Sequence, residues 1–311
     1  MTEPAVERRA PNLLMCPPDF FTVAYEINPF MHTEVRVDID SARGQWEHLK
    51  RTLEECGAEV EVQAPQPGLP DMVFTANAGL VVDGRAVPAR FLHPERRGEE
   101  PFDRDELATR FEIRELPPGC YFEGAGDAMP AGPGSVILAG YQWRTSIQSH
   151  ATLACLLSRP VKSVALVDPR FYHLDLALLP LGSDRALAVG PALDRHSATV
   201  VAAAVPMVEE LDLDEGLAFV ANAVVVGSHV VLDRCPPRVG RLLEGWGYTV
   251  VECPVGEFLK AGGSCRCLTL SLNGGAHDTA APRESSAGDG RRLRDASLTC
   301  SARPPNPPKL A

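Results

Sequence analysis

Two cysteines stand one residue apart in GGSCRCLTLSL, Gly262 to Leu272. Cys265 and Cys267 could supply a nucleophile, half of a metal clasp, a redox pair, or nothing. A catalytic thiol needs partial exposure, a route to the thiolate and a partner for proton transfer. The two glycines ahead of them let the backbone come close to a ligand. If CRCLTLSL opens a strand, both thiols point to one face. Zinc takes about four ligands, and no second Cys pair or His cluster at ligand spacing accompanies these two. A disulfide between cysteines so close together would be strained. Two readings stay open at this point: a nucleophile, or two small apolar thiols packed in a strand.

Other segments hold chemistry-bearing types. DPRFYHLDLALLPLG places His173 and Asp175 two apart, on one face if the segment is a strand. Burying both in a Leu- and Ala-rich run is costly unless they are paired, so the choice lies between function and a satisfied pair holding a turn. CYFEGAGDAMP sets Glu123 and Asp127 around three small residues that let the chain turn tightly, with a plain turn bearing exposed acids as the bland alternative. PDMVFTANAGLVV reads as strand-like up to Asn77. FLHPERRGEEPFD reads as a charged loop with Arg96, and GYQWRTSIQSH puts Arg144 at a strand end before a helix. An Arg fork there suits a carboxylate. Taken together, inward carboxylates attract a cationic head and arginines hold an anionic tail. A substrate with both ends is an amino acid with a basic side chain.

These residues need a scaffold. The chain has 311 residues, 45% of them apolar, enough for one large domain or two small ones. β-rich runs recur (AEVEVQ, GLVVDG, GSVILAG, KSVALVD, DRALAVG, NAVVVGSHVVL, YTVVEC), mostly bounded by Gly, Asp or Pro. Helical patterns lie between them. In SARGQWEHLKRTLEECG, Trp46, Leu49, Leu53 and Cys56 share a face, with Ser41 placed to cap the start and Gly57 the end. SHATLACLLSRP and PPRVGRLLEGWG are shorter examples. This alternation predicts an α/β class. EHLKRTLEECGAEVEVQAP and RVGRLLEGWGYTVVECPVG are each a helix ending at Gly, then a strand and a Pro, which hints at a repeated unit. After about Asn273 the sequence turns polar and Pro-rich. Residues 274–311 are expected to form a disordered tail beside a 1–273 catalytic domain, with no role for Cys300.

Composition also excludes. A net charge of -11 repels phosphate backbones, which argues against nucleic acid. No apolar run approaches the roughly 20 residues that span a bilayer, and the N-terminus lacks the pattern of a signal peptide. A cytoplasmic protein is expected, its nine cysteines held as thiols. Oligomeric state is not legible, and a homo-oligomer stays open.

In order along the chain, YEINPFM, PDMVFTANAGLV, RFLHPERRGEEP, FEGAGDAM, DPRFYHLD and EFLKAGGSCRCLTL resemble the guanidino-group-modifying superfamily. That group includes arginine deiminases, dimethylarginine dimethylaminohydrolases, arginine dihydrolases and amidinotransferases. The resemblance runs from about Leu14 to Leu272 and is closest to bacterial dimethylargininases and arginine dihydrolases. It implies a pentein-type α/β propeller, with pseudo-fivefold repeats of ββαβ-type units around a central active site, and no cofactor or metal. It assigns Cys267 as nucleophile, His173 as the proton-transfer residue and Glu123 as the acid that orients it. Asp175 would bind the guanidinium, Asn28 and Asn77 would line the substrate, and Arg96 and Arg144 would hold its α-carboxylate. Asp127 is expected to support its turn, and Cys265 to fill a position that needs only a small residue. Two departures bear on pocket shape. LDLALLPL lacks the small polar residue and cysteine common after His-x-Asp, and AVGPALDRHS lacks an aromatic pair.

The chemistry so implied is thiolate attack on the guanidinium carbon and loss of an amine, through a covalent thiouronium that water resolves to citrulline. A neutral amide at Asn77 both donates and accepts, which would also suit citrulline and permit a second hydrolysis to ornithine. The alternatives are amidino transfer to an amine, a non-catalytic arginine sensor, and a thiol redox module using Cys265 and Cys267.

Overall fold

The structure, a computed structural model, describes residues 10–134 and 136–273. The expected disordered tail and Cys300 lie outside the described residues. The elements run β1 (Asn12–Met15), α1 (Ile39–Glu55), β2 (Glu59–Val62), β3 (Gly79–Val82), β4 (Arg85–Pro88), α2 (Glu100–Ala108) and β5 (Glu112–Ile113). A one-turn α3 (Gly124–Asp127) leads to β6 (Ala128–Ala131), β7 (Val136–Tyr141), α4 (Ile147–Leu157) and β8 (Val161–Ala165). Then come β9 (Leu178–Leu181), β10 (Arg185–Val189), α5 (Arg195–Ala204), β11 (Met207–Leu211), α6 (Leu213–Leu217), β12 (Val224–Val226) and β13 (His229–Leu232). The described residues close with α7 (Pro237–Gly245), β14 (Thr249–Glu252), α8 (Gly256–Leu259) and β15 (Leu270–Ser271).

Among the described residues five three-stranded sheets result, and all follow one plan. A first strand pairs antiparallel with a second, a helix follows, and a third strand returns parallel to the second. Thus β3, β4, α2 and β5 form one unit, and those that begin at β6, β9 and β12 repeat it. The fifth unit joins the ends of the fold: β15 pairs antiparallel with β1, and β1 parallel with β2 beyond α1. The two look-alike sequences occupy equivalent places, helix and third strand of their units. The α/β propeller expectation therefore holds, with five repeats of a ββαβ unit.

Local chemistry accounts for the units. Val82 pairs with Arg85 across Asp83 and Gly84, both at positive φ, the two-residue turn that suits the right-handed twist of a hairpin. NAVVVGSHVVL likewise splits at Gly227 and Ser228 into β12 and β13. α1 buries Ala42, Trp46, Leu49, Thr52 and Leu53, the stripe a 3.6-residue period predicts. Its cap, however, is Asp38, whose side chain accepts from the Asp40 and Ser41 backbones. Ser41 already lies in the first turn, because Asp38 is extended and so better placed to receive those N–H groups. Strands β3, β6, β9 and β10 are buried at every position. Covered on both faces, they read as apolar runs rather than as an alternation. Leu80 and Val81 of β3, Met129 of β6, Val224 of β12 and Ser271 of β15 line one pocket, so first strands from four units meet around a common axis. Among the described residues no helix is long and apolar enough to cross a membrane.

Candidate active site

Each unit brings side chains to the axis from the turn that leads into its first strand. Asn77 closes a 3-10 turn, Thr75–Asn77, ahead of β3. Glu123 stands at the mouth of α3, ahead of β6. His173 precedes a 3-10 turn, Leu174–Leu176, which carries Asp175 ahead of β9. Cys267 lies in the turn before β15. Three sequence expectations are corrected here. PDMVFTAN, FYHLDL and SCRCL are not strands but tight turns, so the period-two argument for a shared face does not apply to His173 and Asp175 or to the two cysteines. Short turns rather than strands point these polar groups inward, because a strand at the axis would commit its backbone to a ladder and its side chains to the core.

The turns interlock. Gly126 of α3 lies so close to Asn77 Nδ2 and His173 Nδ1 that a Cβ would collide with the amide. Gly262 has φ +83°, and a Cβ there would sit 2.9 Å from both Asn28 Oδ1 and the Tyr172 hydroxyl. Asp127 is fully buried, and its Oδ1 accepts from Leu174 N at 3.1 Å, tying the second unit to the third. The Ala76 N–H donates to the Cys267 carbonyl at 3.1 Å, which joins the Asn77 turn to the cysteine turn.

Around His173 the contacts are direct. Its Nε2 lies 2.8 Å from Glu123 Oε2, and Arg144 Nη1 donates to the same oxygen at 2.9 Å. All three side chains are buried. Arg144 also donates to the Ile27 carbonyl at 2.9 Å and stacks 4.8 Å above the Tyr172 ring. Burial by itself would raise the Glu123 carboxyl. The Arg144 charge and the His173 hydrogen bond outweigh it and hold the group well below the usual carboxylate range.

Around Cys267, 4% exposed, the arrangement differs. Its sulfur lies 3.7 Å from Asp175 Oδ2 and 3.1 Å from Asn222 Nδ2. Burial, with the nearby Asp175 charge, pushes the thiol up. Burial also pushes Asp175 up to about 7, with Arg266 pulling the other way. Cys265 points elsewhere: its sulfur lies 3.6 Å from the Cys253 carbonyl, and burial pushes that thiol up too.

The remaining candidates sit close by, already engaged. Arg96 makes a two-pronged pair with Glu99, at 3.0 and 2.7 Å, and its Nη1 donates to Asn77 Oδ1 at 2.8 Å. Asn77 Nδ2 reaches the Glu123 carbonyl at 3.3 Å. Any anion meeting Arg96 must therefore share it with Glu99. Asn28 folds back on Phe30 N and Met31 N and donates to the Ala261 carbonyl at 3.0 Å, so it shapes the turn before Cys267. Asp71, Glu99, Asn222 and Arg266 were missed in the sequence. Asp71 in PDMVF and Asn222 in NAVVVG carry the signal of a polar residue at the edge of an apolar stretch, while Glu99 and Arg266 stand beside Arg96 and Cys267 in FLHPERRGEEPFD and GGSCRCLTLSL. Among the described residues no group of three or more His, Cys, Asp or Glu side chains is placed to hold a metal ion.

Two oxygens define what the site can take. Glu123 Oε1 and Asp175 Oδ1 are buried and accept no hydrogen bond from any described residue. Such acceptors call for donors, and a planar cation with several N–H groups supplies them.

Comparison with known proteins agrees in character, although no family model matches the chain. It is 42% identical over 267 residues to the bifunctional arginine dihydrolase/ornithine cyclodeaminase ArgZ of a Synechocystis strain, covering 84% of this chain and 37% of that protein. The chain thus spans well under half of that relative's length. It is 39% identical over 259 residues to the N(G),N(G)-dimethylarginine dimethylaminohydrolase of Mycobacterium tuberculosis, covering 83% of this chain and 85% of that one. Among solved structures, the substrate-bound Cys-to-Ser variant of the ArgZ N-terminal domain aligns with TM-score 0.81 and 39% identity, covering 85% of this chain and 98% of that one. The same domain has been seen with product and, as an Asn-to-Ser variant, covalently bound to a reaction intermediate. With five ββαβ units, a buried Cys, His and Glu at their centre and these relatives, the chain belongs to the guanidino-group-modifying, or pentein, superfamily, among the arginine dihydrolases and dimethylarginine dimethylaminohydrolases.

Proposed function

We propose that the chain is a cysteine-dependent hydrolase of the guanidino group of free or Nω-methylated arginine, releasing citrulline and ammonia or a methylamine. The observation that carries this reading is the pair of donor-less buried oxygens, Glu123 Oε1 and Asp175 Oδ1, one on the carboxylate that holds His173 and the other on the carboxylate beside Cys267. A guanidinium bridging them satisfies both by charge-assisted hydrogen bonds. It also favours the thiolate of Cys267, whose thiol is otherwise held up by burial. The substrate thereby helps to make its own nucleophile.

The sulfur then attacks the guanidinium carbon. The proton lost by the thiol leaves on the departing amine, delivered by His173, and the S–C bond of a thiouronium replaces the C–N bond. Water, deprotonated by His173, adds to the same carbon. Collapse returns the sulfur and gives citrulline. Arg144 steadies Glu123 and His173 from behind, and with Arg96 it is the candidate for the α-carboxylate.

Asn77 supports a second hydrolysis, of citrulline to ornithine, ammonia and carbon dioxide. Its amide accepts from Arg96 and donates to the Glu123 carbonyl, a pairing that a carboxylate could not complete. The test is citrulline and ornithine release from arginine, monomethylarginine and asymmetric dimethylarginine, side by side. A parallel reaction with arginine and glycine, assayed for guanidinoacetate, separates amidino transfer. Neither citrulline nor ornithine from any of the three substrates overturns the hydrolase reading. Asn77→Asp is expected to abolish ornithine release while leaving citrulline formation measurable.

A further inference from the structure

The five units do not contribute equally on the assignments made so far. Asn77, Glu123, His173 with Asp175, and Cys267 come from the turns before β3, β6, β9 and β15. The equivalent turn of the remaining unit, before β12, holds Asn222. It is fully buried among Val220, Ala221, Ala223 and Val224, with no solvent to satisfy it. Its side-chain hydrogen bonds all go to the active centre. Oδ1 accepts from the Cys267 N–H at 3.2 Å, and Nδ2 donates to the Asp175 carbonyl at 3.3 Å and lies 3.1 Å from the Cys267 sulfur. The N–H of Cys267 fixes which end is which: only the amide oxygen can accept from it, so the nitrogen must face the sulfur.

We propose that Asn222 is a catalytic residue, donating an N–H to the Cys267 sulfur and so favouring the thiolate that attacks the guanidinium. The proposal rests on the hydrolase reading for its substrate, though the hydrogen bond itself does not. Asn222 gains and loses no proton; the thiol's proton still leaves on the departing amine. A donor aimed at developing or standing negative charge stabilises that state without reorganising. It is needed here because the other groups facing the sulfur are mixed in sign. Asp175 opposes the thiolate, the Ser264 backbone and the adjacent Arg266 favour it, and the Tyr172 hydroxyl and the Cys265 thiol are neutral at working pH. Asn222 also ties the cysteine turn to the turn that carries Asp175, so donor and nucleophile move together.

The test is alkylation of Cys267 by iodoacetamide in substrate-free protein across pH, followed on the Cys267 peptide by mass spectrometry, beside kcat for arginine. Asn222→Asp keeps the shape and the acceptor for the Cys267 N–H, removes the donor and sets a further carboxylate against the sulfur, so both changes disfavour the thiolate. It is expected to move the alkylation profile upward by at least about one to two pH units and to lower kcat at least roughly 10- to 100-fold, which is the effect of losing one hydrogen bond to a charged group alone. Asn222→Ala, which removes the donor without adding charge, should shift both in the same direction by about the hydrogen-bond effect, and Asn222→Ser, which retains a donor, should recover part of the loss. If Asn222→Asp does not fold, the Ala and Ser variants give the same reading. A profile and kcat within twofold of the wild type overturn the proposal. So does a lowered kcat or melting temperature with an unmoved profile, the mark of a purely structural role. If the wild-type protein releases neither citrulline nor ornithine but the profile still moves, the hydrolase reading fails and the donor assignment stands.

Discussion

Glu123 and Asp175 are both sealed from solvent at the same centre, yet their surroundings drive them in opposite directions. Glu123 receives Arg144 and His173 on one oxygen and stays far below the ordinary carboxylate range. Asp175 has a thiol, an amide and a more distant guanidinium, and burial leaves it at about 7. The first is a fixed charge, balanced within the protein. The second lacks a full counter-charge until a cation arrives. The difference teaches where binding energy for a guanidinium comes from: relieving Asp175 contributes, whereas Glu123 is already satisfied on one side and offers only its other oxygen.

The comparison can be broken in several ways. It assumes both carboxylates serve a nucleophile, so Cys267→Ser should remove citrulline release altogether, roughly 10⁴-fold or more. Residual turnover near the wild-type rate would mean the nucleophile lies elsewhere. Glu123→Gln comes next. It leaves Arg144 buried without its carboxylate, which should cost about 3–5 kcal/mol of stability and lower turnover roughly 10²- to 10³-fold. Thermal melts and steady-state rates read both.

Asp175→Asn should do the opposite to stability. The carboxyl rises from 3.8 to about 7 on folding, so the folded state binds more protons than the unfolded state across that window. Its contribution to stability therefore falls as pH rises from about 4 to 7 and is lowest above 7. Removing the charge should raise the melting temperature at pH 8 by a few degrees while lowering kcat/KM roughly 10- to 100-fold. The wild-type kcat/KM should climb with pH through about 7, as Asp175 becomes able to hold a cation, and that limb should vanish in the variant. A melting temperature that falls at pH 8 in Asp175→Asn, as in Glu123→Gln, would erase the contrast. The smallest effect belongs to Cys265→Ala. That thiol faces Cys253 rather than the site, and turnover is expected to change by no more than about twofold. A loss on the scale of Cys267→Ser would place the nucleophile in the wrong turn position.

Much of the scaffold was legible because its signals are local. The Asp83–Gly84 turn, the stripe from Ala42 to Leu53, and the helix–Gly–strand pattern shared by α1–β2 and α7–β14 each depend on residues near in sequence. The turns that bear the site were misread as strands because FTAN, FYHLDL and SCRCL mix apolar and polar residues two apart. That spacing fits a strand as well as a 3-10 turn, and only the neighbouring units decide between them. Helices α2 and α5 are hidden in the sequence as well, because their starts resemble charged or Pro-rich loops. In sequence Asn222 only opens an apolar Ala–Val run. Its meaning comes from Cys267, 45 residues away.

The sequence by itself determined the reactive types and the repeated units: a thiol after a glycine turn, a His-x-Asp, a Glu in a small-residue bend, and strands and helices in a fixed alternation. These follow from side-chain chemistry and short-range periodicity. The tertiary structure alone decided the charge states. It brought Arg144 onto Glu123 and left Asp175 with the thiol, and it set Asn222 against the sulfur. Burial and the distance to a counter-charge set whether a carboxyl stays ionised, and neither quantity is written in the order of residues.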